Sequence, residues 1–160
     1  MAETNVPVQT LTLAQAAALI RTKALSPVEL TAAYLARIAA LDSQVKAWVY
    51  VVAEQALASA RRLEDALMRG EYRGPLHGIP YGAKDLFYTA GLPTAAGSQV
   101  RPDFVPEENA TVINRLQAGG AVLLGKTTMT EYAFRGGAPA TRNPWNLKHT
   151  PGGSSSGSAA

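Results

Sequence analysis

The 160-residue sequence contains no cysteine. This absence excludes disulfide bonds, thiolate zinc sites and a cysteine nucleophile, and it agrees with a reducing compartment. No apolar stretch approaches the roughly 20 residues that a membrane-spanning helix needs. The first residues also lack the basic segment and apolar run of a secretory signal peptide. These absences predict a soluble, cytoplasmic protein that does not act at a membrane.

Charge is also scarce, because charged residues make up 17% of the chain and hydrophobic residues 47%. This balance is ordinary for a globular protein and not for a disordered one. The net charge of +3 is mildly basic, but Arg61 and Arg62 stand beside Glu64 and Asp65. Because no block of five basic residues occurs, direct contact with nucleic acid is not predicted.

Helix signals occur at four places in the chain. Thr12 precedes apolar residues at helical spacing, so we predict that it caps a helix. Ser26-Pro-Val-Glu29 puts serine at the N-cap, proline at the first helical position and glutamate at the third. Two more helices are predicted over 53–69 and over 110–118, the last one capped by Asn109.

Short segments rich in apolar or β-branched residues alternate with these helices. They are predicted as strands at 46–52, 79–83 and 121–124. Helices that alternate with short apolar strands favour an α/β fold in which helices cover a sheet. Ser158-Ala-Ala160 is typical of the opening of a helix. The chain is therefore expected to be the N-terminal portion of something longer.

Residues 120–127, Gly-Ala-Val-Leu-Leu-Gly-Lys-Thr, fit the phosphate-binding pattern GxxxxGK[ST]. That pattern needs a strand before the first glycine, a loop between the glycines and a helix after the lysine. Here a predicted helix comes first, and the inner residues favour a buried strand. A P-loop nucleotide-binding protein using Gly120–Thr127 is kept as the alternative from another class.

Residues 153–157 match the GxSxG nucleophile motif, with Ser155 as the attacking group. That motif needs a strand before it and a histidine after it, but His77 and His149 both come earlier. A flexible Gly/Ser linker is the other interpretation of this segment. Asn143-Pro-Trp-Asn146, just upstream, argues against a linker because it is a turn that carries a large aromatic.

Lys84 is the residue of chemical interest in the middle of the chain. A lysine with an ordinary pKa of about 10.4 is protonated at neutral pH and cannot act as a base. Apolar neighbours would disfavour its charge, whereas Asp85 would favour it. Successive side chains of an extended segment point to opposite faces, which would separate the two residues. Composition alone nevertheless favours a surface Lys84–Asp85 pair.

Five motifs in order along the chain resemble the amidase signature family. They are Gly74-Pro-Leu-His-Gly-Ile-Pro80 with Ala83-Lys-Asp85, Thr89-Ala-Gly-Leu-Pro-Thr-Ala-Ala-Gly-Ser98, Gly125-Lys-Thr-Thr-Met-Thr-Glu-Tyr-Ala133, Asn143-Pro-Trp-Asn146 and Pro151-Gly-Gly-Ser-Ser-Ser-Gly-Ser-Ala-Ala160. The resemblance covers residues from about 10 to the end. It implies the amidase signature fold, a mixed sheet covered by helices, of which residues 1–160 are the N-terminal part of a single domain that breaks off within the Gly/Ser signature.

The resemblance also implies a mechanism and its residues. The family cleaves carboxylic amide C–N bonds through a Ser-cisSer-Lys triad and an acyl-enzyme, without a metal or an organic cofactor. In this sequence Lys84 matches the lysine and Ser154 the serine that follows a cis peptide bond. The nucleophilic serine would lie beyond residue 160, so the fragment alone is expected to be inactive.

The same resemblance leaves the biological setting open. A free-standing amidase would act on a small-molecule amide and would need no partner beyond a second copy of itself. The A subunit of the glutamine-dependent amidotransferase acting on mischarged tRNA is the nearest alternative, and it would need amidotransferase partner subunits.

Overall fold

The computed structural model describes residues 7–134 and 139–160. The regular elements of these residues are α1 (Leu13–Arg21), α2 (Pro27–Val45), β1 (Trp48–Val51), α3 (Ala53–Met68), β2 (Pro80–Lys84), α4 (Thr111–Ala118), β3 (Val122–Thr127) and α5 (Ser156–Ala159). Short 3-10 turns lie at Val8–Thr10 and Glu131–Ala133. None of the helices in the described ranges has both the length and the apolar character needed to cross a membrane.

The three strands form one sheet in the order β1-β3-β2. Strand β1 is antiparallel to β3, whereas β2 is parallel to it, so the sheet is mixed. The prediction of an α/β fold with a mixed sheet covered by helices is confirmed. In the parallel pair, Ala83 faces Lys126 and Lys84 faces Thr127. The carboxyl ends of β2 and β3 therefore lie side by side at one edge of the sheet.

Two of the predicted helix caps are present. Thr12 forms a reciprocal capping box with Gln15 at the start of α1. The Ser26 side chain accepts hydrogen bonds from the backbone N–H groups of Val28 and Glu29 at the start of α2. In both cases a local hydrogen bond satisfies the first N–H groups of the helix, which explains why the sequence alone located these starts.

The prediction that Asn109 caps α4 was wrong. The helix begins after Ala110 and has no side-chain cap. Instead, the Asn109 carboxamide accepts a hydrogen bond from the Ala90 N–H at 2.7 Å and donates one to Asn114 at 2.9 Å. The side chain is engaged by the preceding loop, so it is not available to the first turn of the helix.

The strands differ in length from their predictions. The first begins at Trp48 because Lys46 has a left-handed backbone (φ 56°) at the end of α2 and the Asp42 carboxylate accepts from the Ala47 N–H at 2.7 Å. Strand β3 extends to Thr127, three residues beyond its prediction. The extension covers Gly125, Lys126 and Thr127, and it brings a lysine into the sheet.

The hydrophobic core consists of two clusters. One joins α1, α2 and the end of α3 to the segment before β2 and contains Ala16, Ala17, Ile20, Leu25, Leu30, Leu67 and Ile79. The other joins α3 to β3 and contains Ala56, Ala60, Leu63, Val122 and Leu124. Each large aliphatic side chain buried here contributes about 1.5–3 kcal/mol to the free energy of unfolding. These clusters hold β2 and β3 in place, and the side chains that carry chemistry lie at the ends of these two strands.

Candidate active site

Lys84 is the last residue of β2, and its side chain points to the Gly/Ser-rich segment at residues 152–158. Its Nζ donates a hydrogen bond to Ser154 Oγ at 2.7 Å, across a separation of 70 residues in sequence. Both residues are half-buried. The structure therefore brings together the two predicted site residues, in direct contact and with solvent access.

The Gly153–Ser154 peptide bond is cis. The residues that follow β3 hold this segment by backbone hydrogen bonds. The Thr130 N–H donates to the Ser154 carbonyl at 3.1 Å, and the Gly157 N–H donates to the Thr128 carbonyl at 3.0 Å. Ser154 is thus attached to the same edge of the sheet from which Lys84 emerges.

Gly157 allows this attachment because it lies directly against the backbone. A Cβ atom at this position would lie 2.1 Å from the Ala47 carbonyl oxygen and 2.6 Å from the Thr128 nitrogen. Neither is the flexible end of a side chain, so no other residue fits without moving the chain. The glycine that looked like part of a linker is in fact a close-packing position.

Asp85 does not pair with Lys84, so the prediction of a surface Lys–Asp pair was wrong. The side chain of Asp85 is buried, and its Oδ1 lies 3.5 Å from Lys126 Nζ. At that length the contact is an ion pair and not a normal hydrogen bond. The Gly97 N–H donates to the other carboxylate oxygen at 3.4 Å. Consecutive residues of an extended chain point in opposite directions, and this separates Asp85 from Lys84.

The sequence did not predict that Lys126 is buried. It is completely buried, and its Nζ donates to the Phe87 carbonyl and to Thr94 Oγ1, each at 2.8 Å. Burial lowers the pKa of Lys126, and the neighbouring Asp85 opposes that change. A lysine inside a segment otherwise suited to a buried strand was the signal that could have revealed it.

The P-loop alternative was wrong for the same segment. Residues 122–127 are a strand, where a phosphate-binding loop would need mobile backbone between its glycines. The element that follows is a 3-10 turn at Glu131–Ala133 and not a helix. The lysine that would contact phosphate is enclosed by protein oxygen atoms.

The GxSxG interpretation of Ser155 was also wrong. In the described ranges no strand leads into Ser155, and no histidine side chain is hydrogen-bonded to it. His77 is buried elsewhere, with its Nε2 at 2.9 Å from the Leu63 carbonyl and its Nδ1 accepting from the Arg73 N–H at 3.2 Å. His77 therefore has a structural role between α3 and the segment before β2.

The contact between Lys84 and Ser154 has a definite chemical capacity. An amine in contact with a hydroxyl can accept its proton when the amine is neutral, and the hydroxyl can in turn accept a proton from a third group. Within residues 7–134 and 139–160 no cluster of three His, Asp or Glu side chains could hold a metal ion. The pair is suited to proton transfer toward a nucleophile.

Comparison with known proteins indicates the family of this chain. Residues 29–160 match the family described as Amidase. The chain is 47% identical over 150 residues to AmiD of Mycobacterium tuberculosis, whose name places it among amidases, covering 92% of this chain and 32% of that protein. It is 44% identical over 155 residues to the A subunit of the glutamyl-tRNA(Gln) amidotransferase of Streptomyces coelicolor, covering 94% of this chain and 31% of that protein.

Solved structures show the same fold. The peptide amidase of Stenotrophomonas maltophilia superposes with a TM-score of 0.88 at 37% identity, covering 95% of this chain and 34% of that one. A bacterial aryl acylamidase of the amidase signature enzymes superposes with a TM-score of 0.86 at 32% identity, covering 95% and 33%. The chain spans about a third of the length of the relatives it matches. On its sequence and its fold, this chain belongs to the amidase signature family.

Proposed function

We propose that residues 1–160 are the N-terminal part of a single amidase domain and that the full-length protein hydrolyses a carboxylic amide. Lys84 and Ser154 are two members of its catalytic triad, and the third, a nucleophilic serine, is supplied by a part of the protein outside this sequence. The observation that carries the proposal is the 2.7 Å hydrogen bond from Lys84 Nζ to Ser154 Oγ. It joins two residues that local sequence does not connect.

The proposed reaction begins with Lys84 in its neutral form. Lys84 accepts the proton of Ser154 Oγ, and Ser154 accepts the proton of the nucleophilic serine as that oxygen attacks the amide carbonyl. When the C–N bond breaks, the proton returns through Ser154 to the departing amine. The acyl group is left as an ester on the nucleophile. Water then attacks this ester by the same relay and releases the acid.

The substrate is proposed to be a small-molecule amide, and no metal or organic cofactor takes part in the steps above. This chain holds two of the three triad residues, so the fragment is inactive by itself. The protein acts in the cytoplasm, as a monomer or a homodimer. A glutaminase-type subunit of a tRNA amidotransferase is the second candidate, because relatives with that name are 42–44% identical to this chain.

The test is amide hydrolysis by the full-length protein, measured on an aryl acylamide, a peptide amide and glutamine. Lys84→Ala and Ser154→Ala are expected to lower kcat by about 10³-fold or more, because each removes a member of the proton relay. Lys148→Ala and Ser155→Ala are the matched controls. Lys148 is exposed, and Ser155 adjoins Ser154 in the chain without taking part in the hydrogen bond to Lys84. Both controls should keep wild-type turnover.

Two results would reject parts of this proposal. Wild-type turnover in a folded Lys84→Ala or Ser154→Ala protein would remove these residues from the mechanism. Glutamine hydrolysis that appears only with copurifying subunits would replace the free-standing amidase by the amidotransferase subunit.

A further inference from the structure

The proposed relay uses Lys84 and leaves Lys126 without a chemical role. Yet Lys126 is the largest side chain buried completely in the described part of the chain, and it ends in an ionisable amine. Enclosing an ammonium is unfavourable, and the attraction of an ion pair repays that cost only where the geometry is excellent. Replacing such a pair by apolar residues of similar volume is often neutral or stabilising. Stability alone therefore does not account for Lys126.

The contacts of Lys126 lie on the turn that follows Lys84. The Phe87 N–H donates to the Lys84 carbonyl at 3.0 Å and closes the turn 84–87. Lys126 Nζ donates to the carbonyl of that same Phe87 at 2.8 Å. Its ion pair with Asp85 engages a second residue of the turn. One buried ammonium thus holds two of the three residues that come directly after Lys84.

The loop 94–97 is hydrogen-bonded to the same two residues, Lys126 and Asp85. Thr94 Oγ1 accepts from Lys126 Nζ at 2.8 Å. The Ala96 N–H donates to the Asp85 carbonyl at 3.3 Å, and the Gly97 N–H donates to its carboxylate at 3.4 Å. The pair formed by Asp85 and Lys126 therefore links β3, the turn 84–87 and the loop 94–97. The turn begins with Lys84 itself, and β3 leads to Thr130, whose N–H donates to the Ser154 carbonyl.

We propose that Lys126, paired with Asp85, is a positioning residue that fixes the turn 84–87 and so directs Lys84 at Ser154. The inference rests on the proposed function, because it assigns a purpose to the direction of Lys84. The polar contacts of Lys126 go to Phe87, Thr94 and Asp85, and none of these is a member of the proposed relay. Lys126 acts by holding the backbone from which Lys84 extends. A displacement of about 1 Å at a reacting group can cost about 100-fold in rate, so a modest release of the turn should be measurable.

The test uses three variants of the full-length protein. Lys126→Met removes the ammonium but leaves the Asp85 carboxylate buried without its partner, which lowers the melting temperature and can prevent folding. Asp85→Asn combined with Lys126→Met removes both charges and should recover most of the melting temperature. Ile20→Ala, in the cluster that packs at the start of β2, destabilises the fold at the opposite end of that strand from Lys84. The readouts are kcat, KM and the rate of labelling by a fluorophosphonate.

In the double variant we expect kcat and the labelling rate to fall about 10- to 100-fold while KM changes less than about threefold. The Phe87 carbonyl and Thr94 are no longer held, although the unfavourable charge is gone. Ile20→Ala should keep wild-type kcat at temperatures where it is folded. Wild-type kcat in the double variant, or an equal loss of kcat in Ile20→Ala, would overturn the inference and leave Lys126 with a structural role.

A separate result identifies failure of the proposed function itself. If Lys84→Ala keeps wild-type turnover, the relay is wrong whatever the Lys126 variants do. If Lys84→Ala is inactive and the double variant is fully active, the relay stands and the positioning role fails.

Discussion

Two lysines occupy neighbouring positions in the same sheet and have opposite surroundings. Lys84, at the end of β2, is half-buried and contacts a neutral hydroxyl, Ser154 Oγ at 2.7 Å. Lys126, on β3, is completely buried and contacts a carboxylate, a carbonyl and a threonine hydroxyl. The difference is in the partner. A carboxylate favours the charged form of a lysine, although burial lowers the pKa of Lys126. A serine hydroxyl can take part in moving a proton.

This contrast depends on the position of Asp85. Asp85 follows Lys84 in the sequence, and on the surface the two side chains would have formed an ion pair. The extended backbone turns the carboxylate toward Lys126 instead. The sheet thereby separates a buried ion pair from the half-buried amine that contacts Ser154, although Lys84 and Asp85 are consecutive residues. The predictions below test this separation, from the largest expected effect to the smallest.

The largest effect should come from exchanging one lysine for methionine at the solvent-accessible site. Lys84→Met should lower kcat by about 10³-fold or more, because no base remains for Ser154. Its melting temperature should stay close to wild type, since a half-buried lysine without an ion pair adds little stability. Steady-state kinetics and thermal unfolding of the full-length protein measure both. A large loss of melting temperature would mean that Lys84, too, is a structural cation.

Replacing the buried lysine, Lys126, by methionine should mainly lower the stability of the fold. Lys126→Met leaves the buried Asp85 carboxylate without a counter-charge, and we expect the free energy of unfolding to fall by about 3–5 kcal/mol. Chemical denaturation of the full-length protein measures this loss. Asp85→Asn in the same protein should restore much of it. If the single variant were as stable as wild type, the contrast between the two lysines would be lost.

An intermediate effect is expected from Gly157→Ala. The added methyl would collide with the Ala47 carbonyl and the Thr128 nitrogen, so the Gly/Ser segment must move. We expect a loss of about 1–3 kcal/mol in the free energy of unfolding. Turnover should also fall, since Ser154 moves with the segment. Ser155→Ala is the matched control. Unchanged kinetics in Gly157→Ala would show that Ser154 does not depend on this close contact.

The smallest effect concerns how Tyr50, whose pKa is influenced by Asp85, changes the stability of the fold at alkaline pH. Burial and the charge of Asp85 raise the pKa of Tyr50 to about 12, and its hydroxyl donates to the Pro93 carbonyl at 2.5 Å. The pKa of an unfolded tyrosine is about 10, so Tyr50 stabilises the fold fully below pH 10 and less as pH rises toward 12. The melting temperature of wild type should therefore exceed that of Tyr50→Phe at pH 9, and the gap should narrow above pH 10. A constant gap for Tyr50→Phe would contradict the assignment.

Local features of the fold were predictable from the sequence. The starts of α1 and α2 depend on Thr12 and Ser26, whose side chains bond to backbone within three residues. The cap at Asn109 failed because the side chain is engaged by Ala90, 19 residues away. Hydrogen bonds between residues close in sequence can be inferred from the sequence. Hydrogen bonds between residues far apart in sequence can be identified only once the fold is known.

The candidate site also contains residues that the sequence predicted and contacts that it did not. Lys84 and Ser154 were predicted only because five motifs together resemble a family, since no local pattern links residues 70 apart. The partner of Asp85 was missed because it follows from the pairing of Ala83 with Lys126 across β2 and β3. The match of residues 120–127 to a phosphate-binding pattern misled for a related reason. The GxxxxGK[ST] pattern does not specify whether the segment that contains it is a loop or a strand.

The most direct test of the central claim is labelling of the full-length protein by a fluorophosphonate, with the modified serine located by mass spectrometry. The account predicts an adduct on a serine outside residues 1–160 in wild type and in Lys148→Met. It also predicts a labelling rate at least about 100-fold lower in folded Lys84→Met. Equal labelling rates in wild type and Lys84→Met, or an adduct on Ser154 or Ser155, would contradict a relay from Lys84 through Ser154.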